Sequence, residues 1–101
     1  MIARIWRARA LEQNAQIYKK HFRGEVVHKL ADIPGFRSAE LLCRQEDGVV
    51  DLLVQTRWDS MEAVRKFAGE SYEQAVVEPA ARAVLLDFDD KVQHFEVFAS
   101  D

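Results

Sequence analysis

Residues 43–69 read CRQEDGVVDLLVQTRWDSMEAVRKFAG, a stretch that holds, in order, a chain reversal, a strand, a helix start and a helix stop. Asp47-Gly48 separates two runs rich in branched residues, Phe36 to Glu46 and Val49 to Trp58. That dipeptide signals a tight antiparallel hairpin, because both turn positions require a positive φ. In the second run Val50, Leu52, Val54, Thr56 and Trp58 alternate with Val49, Asp51, Leu53, Gln55 and Arg57. Successive strand side chains point to opposite faces, so the first set is predicted to meet helices. The mixed second set is either partly wet or turned toward another subunit. Asp59 or Ser60 can accept from the free amides that open the next helix, Glu62 suits its positive end, and Gly69 closes it.

Working outward, Ile2 to Arg9 is a short branched and aromatic run that suits a first strand. Leu11, Ala15, Tyr18, Phe22, Val26 and Leu30 then recur at three- and four-residue intervals along one helix face. Gly24 is predicted to bend this helix and Ile33-Pro34-Gly35 to stop it. Beyond Gly69, Ser71 and Gln74 resemble a capping box for a short helix. Pro79 can open another, carrying Val84, Leu85, Leu86 and Phe88. A final strand is predicted over Lys91 to Phe98, with Gln93, Phe95 and Val97 opposite Val92, His94, Glu96 and Phe98. The order is β-α-β-β-α-β, an α+β arrangement of the ferredoxin-like, split β-α-β type with a four-stranded antiparallel sheet and helices on one face. The other face, with Ile5, Leu41 and Leu53, forgoes about 25 cal/mol per Å² if left in water, so pairing of two sheets into a homodimer is expected.

The 101 residues form one domain, 1–101, with half of them hydrophobic (49%) and enough aromatics for a packed interior. Fourteen Lys plus Arg stand against seventeen Asp plus Glu, a net charge of −3 that gives no attraction for nucleic acid. Cys43 has no internal partner, the amino terminus lacks a signal-peptide apolar region, and no apolar run approaches the roughly 20 residues of a membrane span. A cytoplasmic protein with no membrane partner is expected.

No phosphate loop, nucleophile motif or spaced Cys/His cluster occurs, so neither a cofactor nor a metal is expected. His21 and His28 lie about two helical turns apart, too far along the axis to share an ion. Trp58 has two readings: a core aromatic at a strand end, or a flat wall whose N–H meets a phenol or quinone oxygen. Trp6, Tyr18, His21, Phe22 and Tyr72 are the residues able to reach the same space. His94 is assigned to the face that meets a second sheet. Arg4, Arg7 and Arg9 are read as a solvated or salt-bridged surface, and Cys43 as a small hydrophobe.

MIARIWR at 1–7, IPGFRSAELL at 33–42, TRWDSMEAVRKFAG at 56–69, AVVEPAARAVLLDFDD at 75–90 and VQHFEVF at 92–98 together resemble antibiotic biosynthesis monooxygenase-like (ABM) domain proteins. The resemblance implies a ferredoxin-like protomer that completes a dimeric α/β barrel with a second subunit. It also implies a cavity for a small aromatic, phenolic or quinone-like molecule and a choice among the chemistries of the superfamily: oxygenation of polycyclic phenols without a cofactor, haem degradation, quinol chemistry, or, as for many members, a role not known. Trp58 matches the cavity tryptophan of haem-degrading and anthrone-oxidising relatives. Haem degraders add a first-strand asparagine and a histidine in the helix after that tryptophan; here Trp6 and Arg7 occupy the strand, and no histidine lies between Trp58 and His94. Phenol oxidisers carry an asparagine four residues before the tryptophan, where this chain has Val54. If oxygenation occurs without a cofactor, proton removal and charge stabilisation fall to the protein: His21 is the candidate general base, Tyr18 or Tyr72 a hydrogen-bond partner, and Trp58, Trp6 and Phe22 bind the substrate. A non-catalytic carrier of a hydrophobic metabolite is the alternative, with haem binding a third reading.

Overall fold

The computed structural model describes residues 1–101. The chain runs through β1 (Ile2–Leu11), α1 (Glu12–His21), a π-helical turn (Phe22–Val26), α2 (Val27–Ala31), β2 (Phe36–Glu46), β3 (Val49–Trp58), α3 (Met61–Ala68), α4 (Pro79–Arg82), β4 (Asp87–Phe88) and β5 (Gln93–Glu96). β2, β3 and β1 lie side by side in that order, and β4 and β5 both pair with the free edge of β1, all antiparallel. This is the ferredoxin-like order, with two short strands sharing the place predicted for one strand over Lys91 to Phe98.

Local chemistry accounts for the joints. Asp47 and Gly48 turn the hairpin with φ of 53° and 79°. Ser60, rather than Asp59, caps α3 by accepting from the Ala63 amide at 3.2 Å, while Asp59 pairs with Arg37. Gly69 ends α3 at φ 81° with its amide 2.7 Å from the Arg65 carbonyl. Gly24 lies in a π-helical turn, where the Val27 amide bonds the Phe22 carbonyl five residues back. Ser71 and Gln74 form a turn rather than a helix, and Phe88 is in β4, not at a helix end.

Side chains of β1 at Trp6, Ala8 and Ala10 and of β3 at Val50 and Leu52 meet Ala15, Tyr18 and Phe22 in the larger core cluster. Leu30, Trp58, Ala63 and Val64 make a second. On the helix-free face Ile5 and Leu53 are partly covered and Leu42 and Phe95 about half exposed. Leu41, expected there, is instead packed against the helices. The irregularity between Phe36 and Ser38 inserts one residue in β2 and exchanges its faces beyond that point. No helix is long and apolar enough to cross a membrane.

Gly35 joins α2 to β2 with φ +88°, its carbonyl accepting from the Asp59 amide at 2.8 Å. A Cβ there would stand 2.4 Å from the Ala63 Cβ. Gly35→Ala is therefore expected to lower stability by about 3 kcal/mol, summing left-handed strain and overpacking. Gly24→Ala, whose Cβ would meet nothing within 4 Å, serves as the control. Urea unfolding of both checks the contrast, and similar midpoints would refute it.

Candidate functional site

Between the sheet and the helices lies a largely apolar cavity of about 420 Å³, within the size range of small-molecule sites. Alternation along β1 puts Arg4 and Trp6 on its floor, and Val54 and Thr56 join them from β3. α1 contributes Tyr18 and His21, three residues and so one turn apart. Their rings are 6.0 Å apart, and Tyr18 is 6.3 Å from Trp6.

The polar groups differ in what they can still do. The Trp6 indole N–H is already committed, donating to the Asp89 carbonyl at 2.7 Å, so Trp6 offers a ring surface. Tyr18 is 3% exposed, and burial pushes its phenol up to about 12, which keeps it a neutral O–H donor at ordinary pH. Its hydroxyl makes no hydrogen bond to the protein. Since no fully buried side-chain oxygen or nitrogen lacks a partner, that hydroxyl is open to accessible space. His21 has its Nδ1 3.5 Å from Glu25 Oε2 and its side chain only 10% exposed. The Glu25 carboxylate lies beside that edge of the ring, one helical turn further on.

Glu78 and Lys29 also line the cavity, with Lys29 Nζ 2.8 Å from Glu78 Oε1. The ligating atoms of His21, Glu25 and Glu78 lie within 4.8 Å of one another. Of these three, Glu78 already carries the Lys29 ammonium as a partner.

The sequence profile of the antibiotic biosynthesis monooxygenase (ABM) family matches residues 1–79. The chain belongs to the ABM family. No curated protein sequence matches it. Among solved structures it is similar to a candidate antibiotic biosynthesis monooxygenase of Bacillus cereus, with TM-score 0.69, 18% identity and coverage of 99% of this chain and 95% of that one. A second, from Deinococcus radiodurans, has TM-score 0.70 and 12% identity, covering 100% and 96%. The haem degrader MhuD of Mycobacterium tuberculosis, solved with two haems in its active site, has TM-score 0.67 and 24% identity, covering 100% and 99%.

Of the six residues read from the sequence, this ABM chain brings three to the cavity, Trp6, Tyr18 and His21. The other three lie elsewhere. Phe22 is buried in the larger core cluster and borders a separate groove with Ala39 and Leu41. Tyr72 is outside the cavity wall, its ring edge-on to His94 at 5.7 Å. Trp58 is fully buried behind the cavity, stacked on Phe67 at 5.1 Å, edge-on to Phe36 at 5.4 Å and donating to Thr56 Oγ1 at 2.9 Å. Phe67 and Thr56 line the cavity and Trp58 does not. The indole braces the wall without being part of it.

Arg4 and His94 correct two sequence expectations. Arg4 is buried rather than solvated. His94 lies opposite Arg4 in the sheet, with Nε2 2.9 Å from Arg4 Nη1, on the helix side rather than the open face. Burial and then the Arg4 charge hold the His94 imidazole below its ordinary pKa, so the neutral ring accepts from the guanidinium. The signal for Arg4 was present in the sequence, since alternation puts it in phase with Trp6.

Proposed function

We propose that this ABM chain is a cytoplasmic, homodimeric, cofactor-independent monooxygenase of a small phenolic or quinol-like aromatic. The observation that carries the reading is the convergence of Trp6, Tyr18 and His21 on one apolar cavity. The substrate ring lies against Trp6, His21 Nε2 takes its acidic proton, and the Tyr18 O–H donates to the oxygen on which negative charge collects. The resulting anion passes an electron to dioxygen. Recombination forms the C–O bond, and loss of water leaves one oxygen atom in a new carbonyl group. The apolar walls keep bulk water from the anion.

α3 carries no histidine, His94 Nε2 is engaged by Arg4 and His28 is exposed, so His21 is the histidine left on the cavity wall. In this proposal its Nε2 takes the substrate proton, and MhuD supplies a likeness of fold.

Oxygen uptake with a panel of hydroquinones and anthrones tests the proposal. Saturable binding without uptake would replace it with a carrier of an aromatic metabolite, and no binding would end both readings. The homodimer rests on the apolar residues of the helix-free face, Ile5, Leu42, Leu53 and Phe95. Sedimentation at micromolar concentration should give twice the 11.6 kDa chain mass; a monomer would refute the pairing.

A further inference from the structure

Arg4 has no part in the mechanism above, yet its guanidinium is buried in the wall of the same cavity, with 6% of the residue exposed. Nη1 is 2.6 Å from the Tyr72 carbonyl oxygen and 2.9 Å from His94 Nε2, and Nη2 is 3.2 Å from the Gln74 carbonyl oxygen. A guanidinium has five N–H donors, so these contacts leave Nε–H and one Nη2–H with no protein acceptor. Nε is reached by open space, because no fully buried side-chain nitrogen lacks a partner. All three groups that hold Arg4 are neutral, and none of the protein's salt bridges includes it. A buried cation without an opposite charge is an unfavourable arrangement that a bound anion relieves.

We propose that the ligand of this cavity is an aromatic acid, and that Arg4 receives its carboxylate on the Nε–Nη2 edge through two parallel N–H···O bonds. The spacing is suitable. Arg4 and Trp6 are two residues apart on one strand face, roughly 7 Å, about the distance from a carboxylate to the middle of the ring system bearing it. Phe67, whose ring centroid is 5.6 Å from the Arg4 Cζ, closes the other side of the guanidinium. The inference rests on the reading of the cavity as the substrate site and narrows that substrate to a hydroxylated aryl carboxylate.

The probes are 1-hydroxy-2-naphthoate and its methyl ester, titrated into the full chain by calorimetry and tryptophan quenching. The acid is expected to bind the wild-type chain at least about tenfold more tightly than the ester, the scale of a charge-assisted pair. Arg4→Met should bring the acid-to-ester ratio to about one, and Arg4→Lys should retain part of the preference. Because Arg4 also ties down two carbonyls, Lys29→Met carries the assignment if neither Arg4 variant folds: an acid preference that survives it supports Arg4, since Lys29 is the other cation on the cavity wall. Equal affinities would overturn the carboxylate and leave the cavity reading intact; failure of both probes to bind would overturn both. A preference that survives Arg4→Met but disappears in Lys29→Met would move the anion to the cavity rim and overturn the role of Arg4.

Discussion

Replacing Trp58 with alanine is expected to cost about 4 kcal/mol of folding stability, the scale for removing a large aromatic from a packed interior. The indole is the largest fully buried side chain and holds Phe36, Phe67 and the Thr56 hydroxyl together. Against a usual total of about 5–15 kcal/mol, that loss brings the domain close to unfolding at ambient temperature. Chemical denaturation with an unchanged slope and a lowered midpoint is the measurement. The sharper comparison is Trp58→Phe with Trp6→Phe. Trp58 reaches the cavity only through Thr56 and Phe67, so Trp58→Phe should leave aromatic ligand affinity within about threefold, whereas Trp6→Phe should weaken it by about tenfold. Equal weakening by the two would show that Trp58 contacts the ligand after all.

Replacing His21 with alanine is expected to slow oxygen uptake by about 10²- to 10⁴-fold, the usual contribution of a positioned general base. The affinity for the substrate should change far less, since the apolar walls are unaltered. His28 is exposed on α2 and outside the cavity, so His28→Ala should retain full turnover and controls for loss of a histidine as such. Unchanged turnover in His21→Ala would remove the base, leaving the substrate's own acidity to account for the proton.

The sequence was legible wherever a few neighbouring residues decide the outcome. Asp47-Gly48, Gly69 and the cap at the start of α3 act through local backbone chemistry, and each appears where its residues placed it. The alternation of β3 likewise survives intact, because β3 lies between β1 and β2 and is held in register on both edges. Register was lost where it depends on distant pairing. One extra residue near Arg37 moved Leu41 to the helix side and left Leu42 on the open face. In the last strand hydrophobic residues occur on both faces, so only the pairing with β1 decides that His94 meets Arg4. Among the candidate residues, the place of Trp6, Tyr18 and His21 on the cavity wall was readable from position on a strand face and a helix turn. Phe22 and Tyr72 were not, because an aromatic on the correct face can turn to either side of a helix or lie beyond the end of a cavity. Arg4 was overlooked through the expectation that a charged residue seeks water.

The π-helical turn at Phe22–Val26 gives the first helix something an unbroken helix would lack. Each residue of an α-helix advances the face by about 100°, and the wider turn inserts one residue into that count. α1 directs Ala15 and Tyr18 to one core cluster, while α2 directs Leu30 to the other. The turn is thus a phase adjuster between two halves that answer to different partners. It begins directly after His21, so α1 presents Tyr18 and His21 to the cavity ahead of the inserted position, while Leu30 beyond it is seated in the cluster of Trp58.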